Sequence, residues 1–231
     1  YAETLLIDLM FDMNNIEASL QDIFPPIVEE RISEKTGKRL KDKVTVFNPG
    51  SRKQIAERLQ GLGVKFNKKT EKGNIIVDEK VLEGIDLPEA KAVERYMMLQ
   101  KRVAQIDSWL KAVKDDGRVH GRVITNGAVT GRMTHQSPNM AQVPAVSAPF
   151  GTECRSCWTV DEGNVLVGID ASGLELRMLA HYMDDENYTN ELLNGDIHTA
   201  NQPAVGLHSR PVAKTFIYAF LYGAGDAKIG A

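Results

Sequence analysis

Between Val165 and Met183 a short apolar run, VLVGI, closes on Asp170, and a helical pattern begins almost at once. A strand buried on both faces carries polar side chains only at its ends, so the pattern predicts a strand over 165–170. Its terminal acid would sit at the rim of a core, facing a cleft, where a metal-binding carboxylate is useful. An acid in that position equally suits a helix N-cap. In the following helix Leu176, Leu179 and Met183 form one stripe and Glu175 lies beside it, so a second acid falls close to the first.

Composition limits what such a stretch can serve. With 231 residues, 42% hydrophobic and 26% charged, the chain can build one or two domains with cores, which excludes a disordered or membrane-spanning class. No apolar run approaches the roughly 18 residues of a membrane helix, and the start lacks the basic-then-apolar order of a signal peptide. No membrane partner is expected, and the predicted compartment is the cytoplasm. Cys154 and Cys157 form a lone CxxC, whereas a structural zinc site takes four ligands, so CRSCWTV is read as part of a strand. The chain begins at Tyr1 rather than Met and stops at Ala231 after a helical pattern, which reads as a piece of a longer protein. From Arg31 to Lys72 there are thirteen Lys and Arg against four acids, although the net charge is -3. A basic block beside an acidic one suits a lobe that grips phosphates and another that holds divalent metals, or else a solvated lysine-rich loop.

In chain order, Leu5, Leu9, Met13, Ile16 and Leu20 share helical spacing over 4–24, and Pro25-Pro26 stops it. A basic linker is predicted over 25–47. Asn48-Pro49-Gly50-Ser51 then reads as a turn, with Ser51 as N-cap of a helix that ends at Gly61 and Gly63. A long helix is expected over 90–113. The segment Ala128 to Pro144, rich in Gly, Pro, Ser and Asn, reads as an extended binding loop. Arg132, Asn139 and Gln142 can donate hydrogen bonds to the acceptors that every base pair offers in the minor groove, or bond the loop's own backbone. Further on, Arg210, Lys214, Tyr218 and Tyr222 recur every fourth residue, with Ser209 as N-cap and Pro211 in the first turn. Two cations followed by two aromatics on one face suit a triphosphate followed by a sugar and base, or a buried aromatic face with solvated ends. Phe216, Ile217, Ala219 and Phe220 are expected to pack inward.

DASGLELR, at 170–177, resembles the first polymerase motif of family A DNA polymerases, the bacterial polymerase I type, and most closely those of short-tailed bacteriophages. TGRMTHQSPNMAQVP resembles that family's primer-template loop, with Val143 where Ile is frequent. RxxxKxxxYxxxYG resembles its second motif, and NPGSRKQIAERL with the following KKTEKGNIIVDEKVLEG resembles its thumb. The resemblance implies an α+β chain from an incomplete right-hand fold. It would comprise a mostly helical thumb at 1–115, with the basic linker at 25–47, a partial antiparallel palm sheet at 116–183 and the helical start of the fingers at 184–231.

The activity so implied is template-directed DNA synthesis from deoxynucleoside triphosphates on primer-template DNA, with two magnesium ions. Asp170 and Lys214 would be catalytic, and Asp170 with the Ala171 carbonyl would hold metal. Glu175, His198, Arg210, Lys214, Tyr218 and Tyr222 would bind the nucleotide, Glu175 by excluding a 2'-hydroxyl. Tyr218, in place of phenylalanine, implies poor discrimination against dideoxynucleotides. Arg132, Asn139 and Gln142 would contact the minor groove, and Lys68, Lys69 and Lys72 the duplex backbone. Some phage relatives carry a long insertion that recruits host thioredoxin as processivity factor; here only 25–47 fills that place, so a thioredoxin-type partner is not expected. The family's second metal-binding aspartate, in a downstream His-Asp-Glu motif, falls outside these residues, so the chain alone is expected to be inactive. No 3'-5' exonuclease acids are present. The alternatives are a single-subunit phage RNA polymerase and a non-catalytic nucleic-acid-binding module.

Overall fold

Helices carry about half of the chain in the computed structural model, which describes residues 1–229, and two small antiparallel sheets make the fold α+β. Gly230 and Ala231, the end of the expected fingers stretch, lie outside the described residues. The chain forms two compact units, residues 1–164 and the remainder from Val165.

In the first unit α1 (Ala2–Ile23) packs against α4 (Pro88–Lys111). On α4 the residues Val93, Tyr96, Leu99, Arg102, Ile106 and Trp109 are buried at spacings of three and four, the stripe that a helix turns toward a core. Arg102 is tolerated there because its Nε donates to the Pro149 carbonyl at 2.9 Å and its Nη1 to Gln105 Oε1 at 3.3 Å. Ser51 caps α2 (Arg52–Gly61) as expected, its Oγ accepting from the Gln54 amide at 3.4 Å. Ile55 and Leu59 from α2, and Leu82 from α3 (Glu79–Glu83), complete one core with Phe24, Phe47 and Val77.

The predicted basic linker is structured. Strands β1 (Ile27–Ile32) and β2 (Arg39–Thr45) form an antiparallel hairpin with Val28 opposite Val44 and Glu29 opposite Lys43. The strands flank a turn whose Gly37 has φ 65°, a backbone region that costs glycine little. Both stems of the hairpin are fastened. Phe24 and Phe47 bury their rings against each other at 4.8 Å, Gln21 Nε2 donates to the Phe47 carbonyl at 2.8 Å, and Arg58 Nη2 to the Pro25 carbonyl at 2.7 Å.

Strands β3 (Arg122–Ile124) and β4 (Thr134–Gln136) pair antiparallel and lead into a 3-10 turn, Met140–Gln142. The cysteines are on a helix, not the predicted strand. Cys154 is buried within α5 (Gly151–Ser156) and Cys157 is its C-cap. The helix forms because Cys154 and the Trp158 ring, which meets Trp109 at 5.1 Å, both reach the core that Ile106 and Trp109 line. Burial pushes both thiols up, so they are neutral, poor metal ligands.

In the second unit α6 (Leu174–Met183), α7 (Glu186–Asn194), α8 (Ile197–Ala204), α9 (Arg210–Leu221) and α10 (Asp226–Ile229) follow one another. The strand predicted over 165–170 is absent. Val165, Leu166, Val167 and Ile169 belong to no helix or strand and are 71–93% exposed. A strand exists only through a neighbour that takes its N–H and C=O groups, and among the described residues none lies alongside. Nor is Asp170 a helix cap, because Gly173, at φ 59°, occupies the N-cap of α6. One residue expected to pack inward is open: Phe220 is 63% exposed. Among the described residues no helix is long and apolar enough to cross a membrane.

Candidate functional site

In the second unit the six expected nucleotide-binding residues lie on or beside α9. Ala213 is buried, and Phe216, Ile217 and Ala219 are half-buried, which fixes the inward face of this helix. Ser209 stands at the N-cap but makes no side-chain cap bond, and Gly223, at φ 72°, follows the helix end. Arg210, Lys214 and Tyr218 succeed one another along α9, with Tyr222 at its C-cap, drifting by roughly 40° per step as a period of 3.6 requires.

Arg210 and Tyr222 are hydrogen-bonded to neighbouring elements, and Tyr218 lies beside one. Arg210 forks onto Asp196, Nε to Oδ2 at 2.6 Å and Nη2 to Oδ1 at 3.2 Å. Asp196 also caps α8, accepting from the His198 amide, the Thr199 amide and the Thr199 hydroxyl. The bonds from Arg210 and then Thr199 hold the Asp196 carboxyl well below the usual carboxylate range. His198 sets its ring 6.1 Å from that of Tyr218, tilted by 47°. Burial and then the Arg210 charge push His198 down, which keeps its imidazole neutral near pH 7, and its Nδ1 is buried with no partner. Tyr222 donates its hydroxyl to Glu175 Oε1 at 3.2 Å, joining the end of α9 to the first turn of α6. Tyr218 is pushed up by burial and then by the Glu175 charge. Lys214 is exposed.

Asp170 and Ala171 are exposed in the stretch before α6, where Arg177 Nε donates to the Ser172 carbonyl at 2.8 Å. Among the described residues no three His, Cys, Asp or Glu side chains lie together as a metal site. Sequence reasoning missed Asp196. Its signal was present, an acid after Asn194-Gly195 and immediately before a helical pattern, which is the mark of an N-cap.

In the first unit the minor-groove candidates lie on and just after the β3–β4 hairpin. Asn139 Oδ1 accepts from the Ala141 amide at 3.1 Å, so part of this side chain does serve its own backbone. Gln142 is exposed, and its carbonyl accepts from Gln105 Nε2 at 2.8 Å, which ties the loop to α4. Arg132 is exposed, and its carbonyl accepts from the Ala128 amide. Asn139 and Gln142 share a groove of about 630 Å³ with Lys101, Arg102 and Gln105. Lys68, Lys69 and Lys72 are exposed around a small turn in which the Thr70 amide donates to the Asn74 carbonyl at 2.8 Å.

A family model described as DNA polymerase family A matches residues 26–231. The DNA-directed DNA polymerase of Escherichia phage T7 is 50% identical over 206 residues, covering 80% of this chain and 29% of that relative. The thermostable DNA polymerase I of Thermus aquaticus is 33% identical over 194 residues, covering 77% of this chain and 23% of that relative. The chain thus spans less than a third of the length of these curated relatives. Among solved structures, the POL domain of Pol1 from M. smegmatis, in complex with DNA primer-template and dNTP, superposes with a TM-score of 0.78 at 20% identity, covering 99% of this chain and 39% of that one. That likeness carries the fold, and the family model together with the phage relative carries the lineage: the chain belongs to DNA polymerase family A.

Proposed function

We propose that the complete protein carries out template-directed DNA synthesis, transferring a nucleotidyl group from a deoxynucleoside triphosphate to a primer 3'-hydroxyl. In this reading residues 1–115 form the thumb, 116–183 part of the palm and 184–231 the start of the fingers, at work in the cytoplasm of a phage-infected cell. The observation that carries it is the set of side chains along and beside α9. A guanidinium, an ammonium and two phenol rings follow one another there, with His198 beside Tyr218 and Glu175 bonded to Tyr222.

Arg210 offers a two-pronged donor to phosphate, and Lys214 a mobile point charge that stabilises negative charge as it builds on the triphosphate. Neutral His198 adds a hydrogen-bonding ring beside them. Tyr218 stacks on the base and presents a hydroxyl near the sugar. Glu175, fixed by Tyr222, closes the space a 2'-hydroxyl would need. Arg132, Asn139 and Gln142 check the minor groove of the growing duplex without reading its sequence, and Lys68, Lys69 and Lys72 follow its phosphates.

Asp170 and the Ala171 carbonyl are hard oxygen donors of the kind magnesium takes, two of the roughly six it surrounds itself with. They fit as contributors to a magnesium site and not as a whole one. Two such ions, when bound, would neutralise the triphosphate and activate the 3'-hydroxyl. No thioredoxin-type clamp is expected, because the place of the insertion that would recruit it holds only the β1–β2 hairpin.

Primer extension by the complete protein with deoxy- and ribonucleotides side by side tests the proposal. Extension with deoxynucleotides is expected. Efficient extension with ribonucleotides would favour an RNA polymerase, and DNA binding without extension would favour a non-catalytic module; either result overturns it.

A further inference from the structure

If α9 grips a triphosphate, its first cation is already engaged. The Asp196 carboxylate accepts five hydrogen bonds: from Arg210 Nε at 2.6 Å and Nη2 at 3.2 Å, from the amides of His198 and Thr199, and from Thr199 Oγ1 at 2.9 Å. A carboxylate offers about four lone-pair positions, so Asp196 is saturated. The Nε–Nη2 edge of a guanidinium is one by which it takes a carboxylate or a phosphate in two parallel bonds. It cannot serve both at once.

We propose that Asp196 is a positioning residue for nucleotide binding: its carboxylate occupies the Nε–Nη2 edge of Arg210 in place of a phosphate, and an incoming triphosphate takes Arg210 by displacing it. The proposal rests on the reading of Arg210 as a triphosphate ligand. Three features suit Asp196 to that exchange. The pair is open to water, with side chains 53% and 42% exposed, so ligand and solvent reach it directly. Once Arg210 leaves, Asp196 keeps its two amide donors and the Thr199 hydroxyl, so the carboxylate is not orphaned. Arg210 is the first residue of α9, and a phosphate drawn to it meets the positive end of that helix, which repels nothing it carries. Asp196 stays ionised at neutral pH, so it competes under working conditions. A ligand with less charge than a triphosphate is the poorer competitor, which makes the exchange a filter for polyphosphate.

Asp196→Asn and Asp196→Ser separate this role from helix capping, because both side chains retain an acceptor suited to an N-cap. In the complete protein the KM for deoxynucleoside triphosphate is expected to fall about five- to tenfold in both variants, the factor gained when the competent form of Arg210 no longer has to be released from a partner. The value of kcat should change by less, and in an Arg210→Ala background neither substitution should alter KM. A capping role alone would move the melting temperature and leave KM in place. Unchanged or raised KM in both variants overturns the exchange. If Arg210→Ala by itself leaves KM unaltered, the triphosphate reading of Arg210 falls and the exchange with it. A raised KM in Arg210→Ala without a fall in Asp196→Asn sinks the exchange alone.

Discussion

At the scale of single residues, the proposed selection of the sugar rests on the contact between Glu175 and Tyr222. Replacing Glu175 by alanine in the complete protein should lower the preference for deoxy- over ribonucleotides by at least about tenfold in kcat/KM, a loss of about 1.4 kcal/mol in the transition state. Tyr222→Phe should shift it in the same direction by less, because it removes only the bond that steadies the carboxylate. Tyr218→Phe should raise discrimination against dideoxynucleotides, measured as the ratio of chain termination to extension. His198 gives a pH signature. Its folded pKa lies below its ordinary value of 6.5, so the unfolded chain binds the proton more tightly. The second unit is therefore at full stability above about 6.5 and loses it as the pH falls through that value toward the folded pKa. Asp196, also depressed, contributes stability above its ordinary 3.8 that is lost only in stronger acid. A thermal melt across pH 5 to 7 should lose this slope in His198→Gln.

At the scale of elements, the N-cap of α2 and the packing of α5 are the points where one atom decides. Ser51→Ala should cost about 1 kcal/mol, read from chemical denaturation. A Cβ at Gly151 would overlap the Ala145 carbonyl, a backbone atom that cannot swing aside, so Gly151→Ala should destabilise the first unit by about 1–3 kcal/mol. Elements fixed by local rules were legible in the sequence. The Asn48-Pro49-Gly50-Ser51 turn with its Ser51 cap, the long α4 and the first helix stopped by Pro25-Pro26 all rest on capping, period or backbone restriction within a few residues. The β1–β2 hairpin was not legible because its charged strands, IVEERI and RLKDKVT, are almost wholly exposed and carry no sustained alternation, while the Phe24 and Phe47 rings that fasten its stems lie outside them. The cysteine segment was misread because its helix is decided by Trp109 and Ile106, far away in sequence. The row of Arg210, Lys214, Tyr218 and Tyr222 was legible through its spacing, whereas the contact of Asp196 was not, because it depends on a distance across fourteen residues to Arg210.

At the scale of the whole molecule, two compact units are joined through a stretch in which every residue from 159 to 172 is exposed. Limited proteolysis of residues 1–231 should therefore cut there first and release the first unit as a stable product; a first cut within α4 or α9 would contradict this. The same stretch has a second consequence. Val165 to Ile169 is an apolar run broken only by Gly168, free of charge and proline, and among the described residues no strand pairs with it. Runs of this kind zip onto their own copies. A concentrated solution of residues 1–231 should thicken into fibres after a lag, seeded by a trace of earlier material, and Val167→Lys should keep it clear.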